Sequence, residues 1–292
     1  MPVSAVSVRL PRMSILLALS SAIVYGVADY CGGRASRFHP SAIVTVVGQV
    51  VSFVLISLAV LAIGTPFPST ATMAWGLFAG AAGAIGLASL YYAFAAGAMT
   101  VVAPISAVAG AVLPVMVGVA TGERPEVIAY VGIGLAIGAV ALVSGAVGEH
   151  HSATPRSIMA IALLAGVGFG VLFVALDRTD PGSGLWPLVA ARASSVPLLL
   201  AIVAVTGARV GTQRRGLRLA VVAGALDMAA NVLYLAAVRD GLLSLVAVVS
   251  SLYPASTVML AFAIDHERVN RWQVLGMVLA AVALVLVTLG RA

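Results

Sequence analysis

Apolar residues run through this chain in ten blocks, at about 14–31, 41–63, 72–95, 100–120, 126–147, 157–176, 184–206, 217–237, 242–264 and 271–289. Each block has roughly the 18–25 residues a helix needs to cross a bilayer. Polar residues gather between them. The connections are short and marked by Pro or Gly, as in Thr65-Pro66-Phe67-Pro68, Gly122-Glu123-Arg124-Pro125 and Asp180-Pro181-Gly182. One longer polar stretch, from Gly148 to Pro155, reads as a linker. The pattern predicts an all-α integral membrane protein of ten transmembrane helices.

The chain also matches itself at one offset. Glu123-Arg124 recurs as Glu267-Arg268, 144 positions on, and Gly26, Gly97 and Gly132 recur as Gly170, Gly241 and Gly276. The linker divides the chain into a first five-helix repeat at 12–148 and a second at 156–291. Five is odd, so the two copies must enter the membrane from opposite sides. That predicts inverted repeats about a pseudo-two-fold axis in the membrane plane, with a binding site near the midplane between them. The first span follows Arg9 and Arg12 as a signal sequence would. The equivalent helix around Gly170 lies far from any terminus, so the first segment is expected to be a retained span.

Composition agrees with a bilayer environment. The residues are 62% hydrophobic and 9% charged, with a mean hydropathy of +1.13. A net charge of +6 would suit a nucleic-acid partner, but the arginines fall in loops and at helix ends, so none is expected. All sixteen basic residues are arginine, which excludes a P-loop lysine and ATP hydrolysis by that route. With the N-terminus inside, the inner side would carry six arginines and the outer side nine, so charge alone favours both termini outside. The single Cys31 forms no intrachain disulfide.

Ionisable groups inside a membrane span cost about 2.5–3.5 kcal/mol on insertion scales, so each needs a reason. Asp227 lies at the centre of the eighth span, and the helical period places Asn231 and Tyr234 on its face. A carboxylate, an amide and a phenol on one stripe suit a polar or cationic substrate, or a proton. The alternative is a polar cluster bonded to neighbouring helices. Arg192, inside the seventh span, serves either as counter-ion to Asp227, as an anion-binding group, or as a residue snorkelling to the interface. Asp29, one turn after Tyr25, reads as either a cavity mouth or a helix cap. Pro104 and Pro114 in the fourth span and Pro254 after Tyr253 in the ninth free backbone carbonyls that kink a helix or line a cavity. Ser106, Ser250 and Ser251 lie beside these breaks as candidate contacts. Glu123 and Glu267, each followed by Arg124 and Arg268, stand where a loop enters a helix and read as structural turns. Gly76/Gly80, Gly134/Gly138 and Gly166/Gly170 read as helix-packing pairs.

His39, His150, His151 and His266 fall in loops without ligand spacing, so no metal is expected. Asp177-Arg178-Thr179-Asp180 is an isolated acidic pair, and no hydrolase motif is present. No cofactor is expected.

The segment from Leu252-Tyr253-Pro254 through Asp265-His266-Glu267-Arg268 to Gln273-Val274-Leu275-Gly276 resembles the proline-bearing ninth helix, Glu-Arg turn and Gly-rich last helix of EamA domains in the drug/metabolite transporter superfamily. Gly122-Glu123-Arg124 with Gly132 and the aromatic-Gly start Tyr25-Gly26 are similar to the same features in the first half. Arg192 resembles an arginine the family often carries in the second helix of a repeat, with Gly48 at the equivalent first-half position. The resemblance spans about 12–290. It implies a ten-span carrier in the cytoplasmic membrane that exports metabolites or drugs without ATP, with both termini in the cytoplasm. The expected protein is thus a secondary transporter of a small molecule in the lipid bilayer, with proton coupling through Asp227 as a further expectation. A flippase for a lipid-linked substrate is the alternative on the same fold, and an intramembrane enzyme the alternative outside it.

Overall fold

Hydrocarbon offers no hydrogen bonds to an open backbone, so long apolar segments satisfy their N–H and C=O groups internally as helices. The computed structural model describes residues 11–96, 99–143, 155–265 and 271–289, and they contain helices, turns and loops but no strand. The helices are α1 (Pro11–Ala35), α2 (Ser41–Ile63), α3 (Thr70–Ala96), α4 (Met99–Ala120), α5 (Val127–Val143), α6 (Arg156–Asp177), α7 (Trp186–Thr206), α8 (Arg214–Asp240), α9 (Leu243–Ser250), α10 (Pro254–Asp265) and α11 (Arg271–Leu289). Among the described residues, eight helical stretches are long and apolar enough to span a bilayer: α1 to α4, α6 to α8, and α9 with α10 taken together. α5 supplies a shorter apolar helix. Leu58, Leu61, Phe78 and Leu163 stand exposed along these helices. Apolar faces of that extent suit lipid, and the chain is a multi-pass membrane protein.

The ninth predicted span differs from expectation. Instead of one helix over 242–264 it forms α9 and α10, separated by the turn at residues 251–253. Pro254 has no N–H to donate back along the helix, so the regular ladder stops there. α4 stays continuous through both Pro104 and Pro114. Residues 144–154, which hold most of the expected linker, and residues 266–270, with His266, Glu267 and Arg268, lie outside the described residues.

Small residues set how closely the helices approach. α1 packs chiefly along α8, α3 along α6 and α7, α2 between α7 and α8, α4 against α6 and α9, and α5 against α11. At the α2–α8 contact a Cβ on Gly224 would sit 2.5 Å from the Gly48 Cα. Only glycine fits such an approach, and Ser52 Oγ then donates to the Gly224 carbonyl at 2.6 Å. On α3, Gly76 and Gly80 face the backbone of α7, and Ser194 Oγ donates to the Leu77 carbonyl at 2.6 Å. Gly166 and Gly170 face α4 in the same way, whereas Gly134 and Gly138 meet no described neighbour.

Loop contacts tie the helix ends. Glu123 does not cap the helix that follows it in sequence. Its carboxylate accepts from the Leu243 and Ser244 N–H groups at 2.6 and 3.0 Å, at the start of α9. A charge placed there satisfies two orphan donors and complements the helix dipole. Arg124 only folds back on the Val119 and Glu123 carbonyls from an exposed position. His39 is buried: its Nδ1 accepts from Gly211 N–H at 3.1 Å, so its Nε2 donates to the Gln213 carbonyl at 2.9 Å. Trp186 Nε1 donates to the Thr65 carbonyl at 3.1 Å, and Arg239 to that of Gly184 at 2.5 Å. Arg34 pairs with Asp265, joining the ends of α1 and α10.

Glu123→Ala is expected to lower stability by about 1–2 kcal/mol, as loss of a helix cap does, while Arg124→Ala changes it little. Thermal unfolding of the purified variants in detergent checks both.

Candidate functional site

A carboxylate buried away from water must either lose its charge or find a partner. Asp227, thirteen residues into α8 and 9% exposed, has one. Arg192 on α7, itself 3% exposed, donates from one terminal nitrogen to Asp227 Oδ2 at 2.7 Å. α2 packs against both helices and holds them in register for this contact. Of the three roles open to Arg192, its geometry gives it the counter-ion's contact with Asp227, while its Nε has no partner among the described residues. One turn along α8, Asn231 Nδ2 donates to the Asp227 carbonyl at 2.8 Å.

These residues line a cavity of about 460 Å³, part of it open to solvent. Both halves contribute. From the first half come Tyr25 and Asp29 on α1, Gln49 on α2, and Gly83 and Leu87 on α3. From the second come Phe169, Leu172 and Phe173 on α6, Arg192, Asp227, Asn231 and Tyr253. Four pairs of wall positions stand 144 residues apart: Tyr25 with Phe169, Asp29 with Phe173, Gly83 with Asp227, and Leu87 with Asn231. Equivalent positions thus meet around one space with unlike chemistry, a carboxylate against a phenyl ring and a carboxylate against no side chain.

Among the described residues, three buried polar atoms of the cavity wall have no hydrogen-bond partner: Tyr25 Oη, Arg192 Nε and Asn231 Oδ1. Leaving such atoms unpaired is unfavourable, by about 1–3 kcal/mol each. Asp29 lies six residues before the end of α1 and is 6% exposed on the cavity wall, which makes it a cavity residue and not a helix cap.

Other expected site residues stand behind the wall. Tyr234 is fully buried, stacks on Phe173 with centroids 4.2 Å apart, and points its hydroxyl to the Phe173 carbonyl at 3.5 Å. It shares a helix face with Asp227, yet the aromatic ring of α6 covers it. Tyr253 lines the cavity, and its hydroxyl meets Ser106 Oγ at 2.5 Å, joining the turn after α9 to α4. Ser106 is fully buried and off the cavity. Ser250 Oγ donates to the Ala18 carbonyl at 3.5 Å, and the Ser251 hydroxyl is buried without a partner; neither lines the cavity.

Gln49 was not among the expected residues. It is 3% exposed, lines the cavity, and accepts from Ser195 Oγ at 2.7 Å, linking α2 to α7. The sign was present, since an amide in an apolar span is as anomalous as Asn231. Phe169 and Phe173 carried no such sign, because aromatic residues one turn apart on an apolar helix read as core.

Removing either partner of the buried pair, by Arg192→Leu or Asp227→Leu, is expected to lower stability by about 3–5 kcal/mol, whereas the double variant loses much less. Thermal unfolding of all four proteins in detergent tests this; equal, additive losses would contradict the pairing.

Residues 156–289 match the EamA-like transporter family. No curated protein matches the chain by sequence. A solved crystal structure, titled only as that of a protein, shares the fold with a TM-score of 0.72 over 94% of this chain and 96% of its own, at 15% identity. The match covers the part of the chain in which the Glu-Arg turn and the Gly-rich last helix carry the resemblance, and residues 156–289 form an EamA-like transporter domain.

Proposed function

We propose that this chain is a secondary carrier that exports a small polar or amphipathic metabolite across the cytoplasmic membrane by alternating access between two inverted five-helix repeats. The observation that carries this reading is the cavity, whose walls come from both halves and hold unpartnered polar atoms beside an ion pair. Sites of this kind, concave, mostly apolar and with a few placed polar groups, suit a solute held in transit.

Two further features support the inverted arrangement. If all ten predicted spans cross, loops after even-numbered spans share one side and loops after odd-numbered spans the other. Glu123 with Leu243, Trp186 with Thr65, and Arg239 with Gly184 join even loops or the helix ends beside them. His39 with Gln213, and Arg34 with Asp265, join odd ones. The helix pairing also maps onto itself when the halves are exchanged. α1–α8 becomes α3–α6, α2–α8 becomes α3–α7, and α4–α6 becomes the contact of α1 with α9 and α10. Two such units rocking about the cavity would open it to each side in turn.

In this scheme Arg192 and Asp227 hold each other in place, and Arg192 Nε and Asn231 Oδ1 bond the solute. Cells overexpressing the protein are expected to release a metabolite that deletion cells retain. With that metabolite in proteoliposomes, Asp227→Asn and Arg192→Gln are expected to lower initial transport at least tenfold with the protein still folded. Unchanged transport in both variants would sink this reading of the site.

A further inference from the structure

Asp227 takes one terminal nitrogen of Arg192, at 2.7 Å, and leaves the Arg192 Nε–H without an acceptor among the described residues. Asn231 is fixed in the opposite sense. Its Nδ2 donates to the Asp227 carbonyl at 2.8 Å, and its Oδ1 is left without a donor. The reverse amide orientation would set two oxygens against each other. Both side chains are 3% exposed, both line the cavity, and both are anchored to the same residue. The wall thus presents a fixed donor and a fixed acceptor, each unanswered. Beside them Gln49 gives its Oε1 to Ser195 and keeps its N–H groups as donors, and the Tyr25 hydroxyl has no partner among the described residues.

The charge of the wall narrows what can answer these groups. Among the described residues it carries two carboxyl groups, Asp29 and Asp227, and one guanidinium that is already paired. An anionic solute would bring a further negative charge beside them in a mostly apolar space. A cation offers no acceptor to the Arg192 Nε–H. A zwitterion supplies both poles, but both must leave water, and the positive charge of the wall is already met by Asp227. An uncharged amide answers the same groups at a smaller desolvation cost. Its carbonyl oxygen accepts from the Arg192 Nε–H, and its N–H donates to Asn231 Oδ1. A second N–H suits Asp29 in either protonation state, since a carboxyl oxygen accepts in both. The rings of Phe169 and Phe173 on the same wall suit a flat or apolar body. Resting on the carrier reading above, we infer that the solute is an uncharged primary amide or urea on an aromatic or apolar body, its carbonyl read by Arg192 Nε–H and its N–H by Asn231 Oδ1. Specificity then follows from hydrogen-bond direction and not from charge, because a buried donor and acceptor reject an analogue that leaves either one unpaired.

The probes are benzamide, methyl benzoate, which has no N–H, and three charged relatives: benzoate, benzylammonium and the zwitterion 4-(aminomethyl)benzoate. Each is titrated at pH 7 into the full-length protein in detergent, recording heat. Wild type is expected to bind benzamide at least about tenfold more tightly than any of the other four, as loss of one hydrogen bond in a buried site gives. Arg192→Lys keeps a cation for Asp227 but removes the Nε–H. It is expected to weaken benzamide at least about tenfold while unfolding at a temperature close to that of wild type. Asn231→Leu removes the group that tells an amide from an ester, so it is expected to bind benzamide and methyl benzoate alike. A charged probe bound more tightly than benzamide, no binding of benzamide to wild type, wild-type affinity in Arg192→Lys, or discrimination against methyl benzoate retained in Asn231→Leu overturns the assignment. Metabolite efflux from cells separates the two levels. Efflux intact with no preference for benzamide defeats the amide assignment alone, and absent efflux with that preference intact defeats the carrier reading itself.

Discussion

A polar group in hydrocarbon must find its partner within the protein, because the surroundings supply none. That constraint orders most of what this structure contains. It makes the apolar segments helical. It sends Ser52, Ser194 and Ser21 to carbonyls on neighbouring helices, where glycine and alanine let the backbones come close. It brings Glu123 across from the first half to the orphan N–H groups at the start of α9. It also places Arg192 against Asp227, without which neither charge would be tolerable at that depth.

The exceptions acquire meaning from the rule. Tyr25 Oη, Arg192 Nε and Asn231 Oδ1 are buried and unpaired, and their residues line one cavity. Asp29 faces the same space with no cation paired to it among the described residues. A scaffold needing only stability would have met these groups or replaced them with apolar side chains. Their concentration between the two halves is the physical basis for reading the cavity as a place where solute, and not protein, completes the bonding.

The 144-residue recurrence adds a second layer. Positions that serve packing keep small residues at that offset, as Gly80 on α3 and Gly224 on α8 do at their close approaches to α7 and α2. Positions on the cavity wall diverge, so that Asp227 faces the counterpart Gly83 and Asp29 the counterpart Phe173.

Hydropathy alone marked the membrane-spanning character, the lengths of most helices and the anomalous residues Asp227, Asn231 and Arg192, because polar groups stand out sharply against apolar runs. The 144-residue offset likewise exposed the recurring glycines and the repeated Glu-Arg pair. What the linear chain left open concerned relations between elements. Arg192 had three available roles until α7 and α8 were set either side of α2, and only then did its distance to Asp227 choose one. Tyr234 shares the helical stripe of Asp227, but the ring of Phe173 lies over it, and no periodicity encodes what a neighbouring helix covers. Glu123 was legible as a residue that meets a helix start, yet the start it meets is 120 residues away. The sequence determined which groups a bilayer would force into partnership; the tertiary structure decided which partner each one found, because that depends on helix neighbours that no local pattern records.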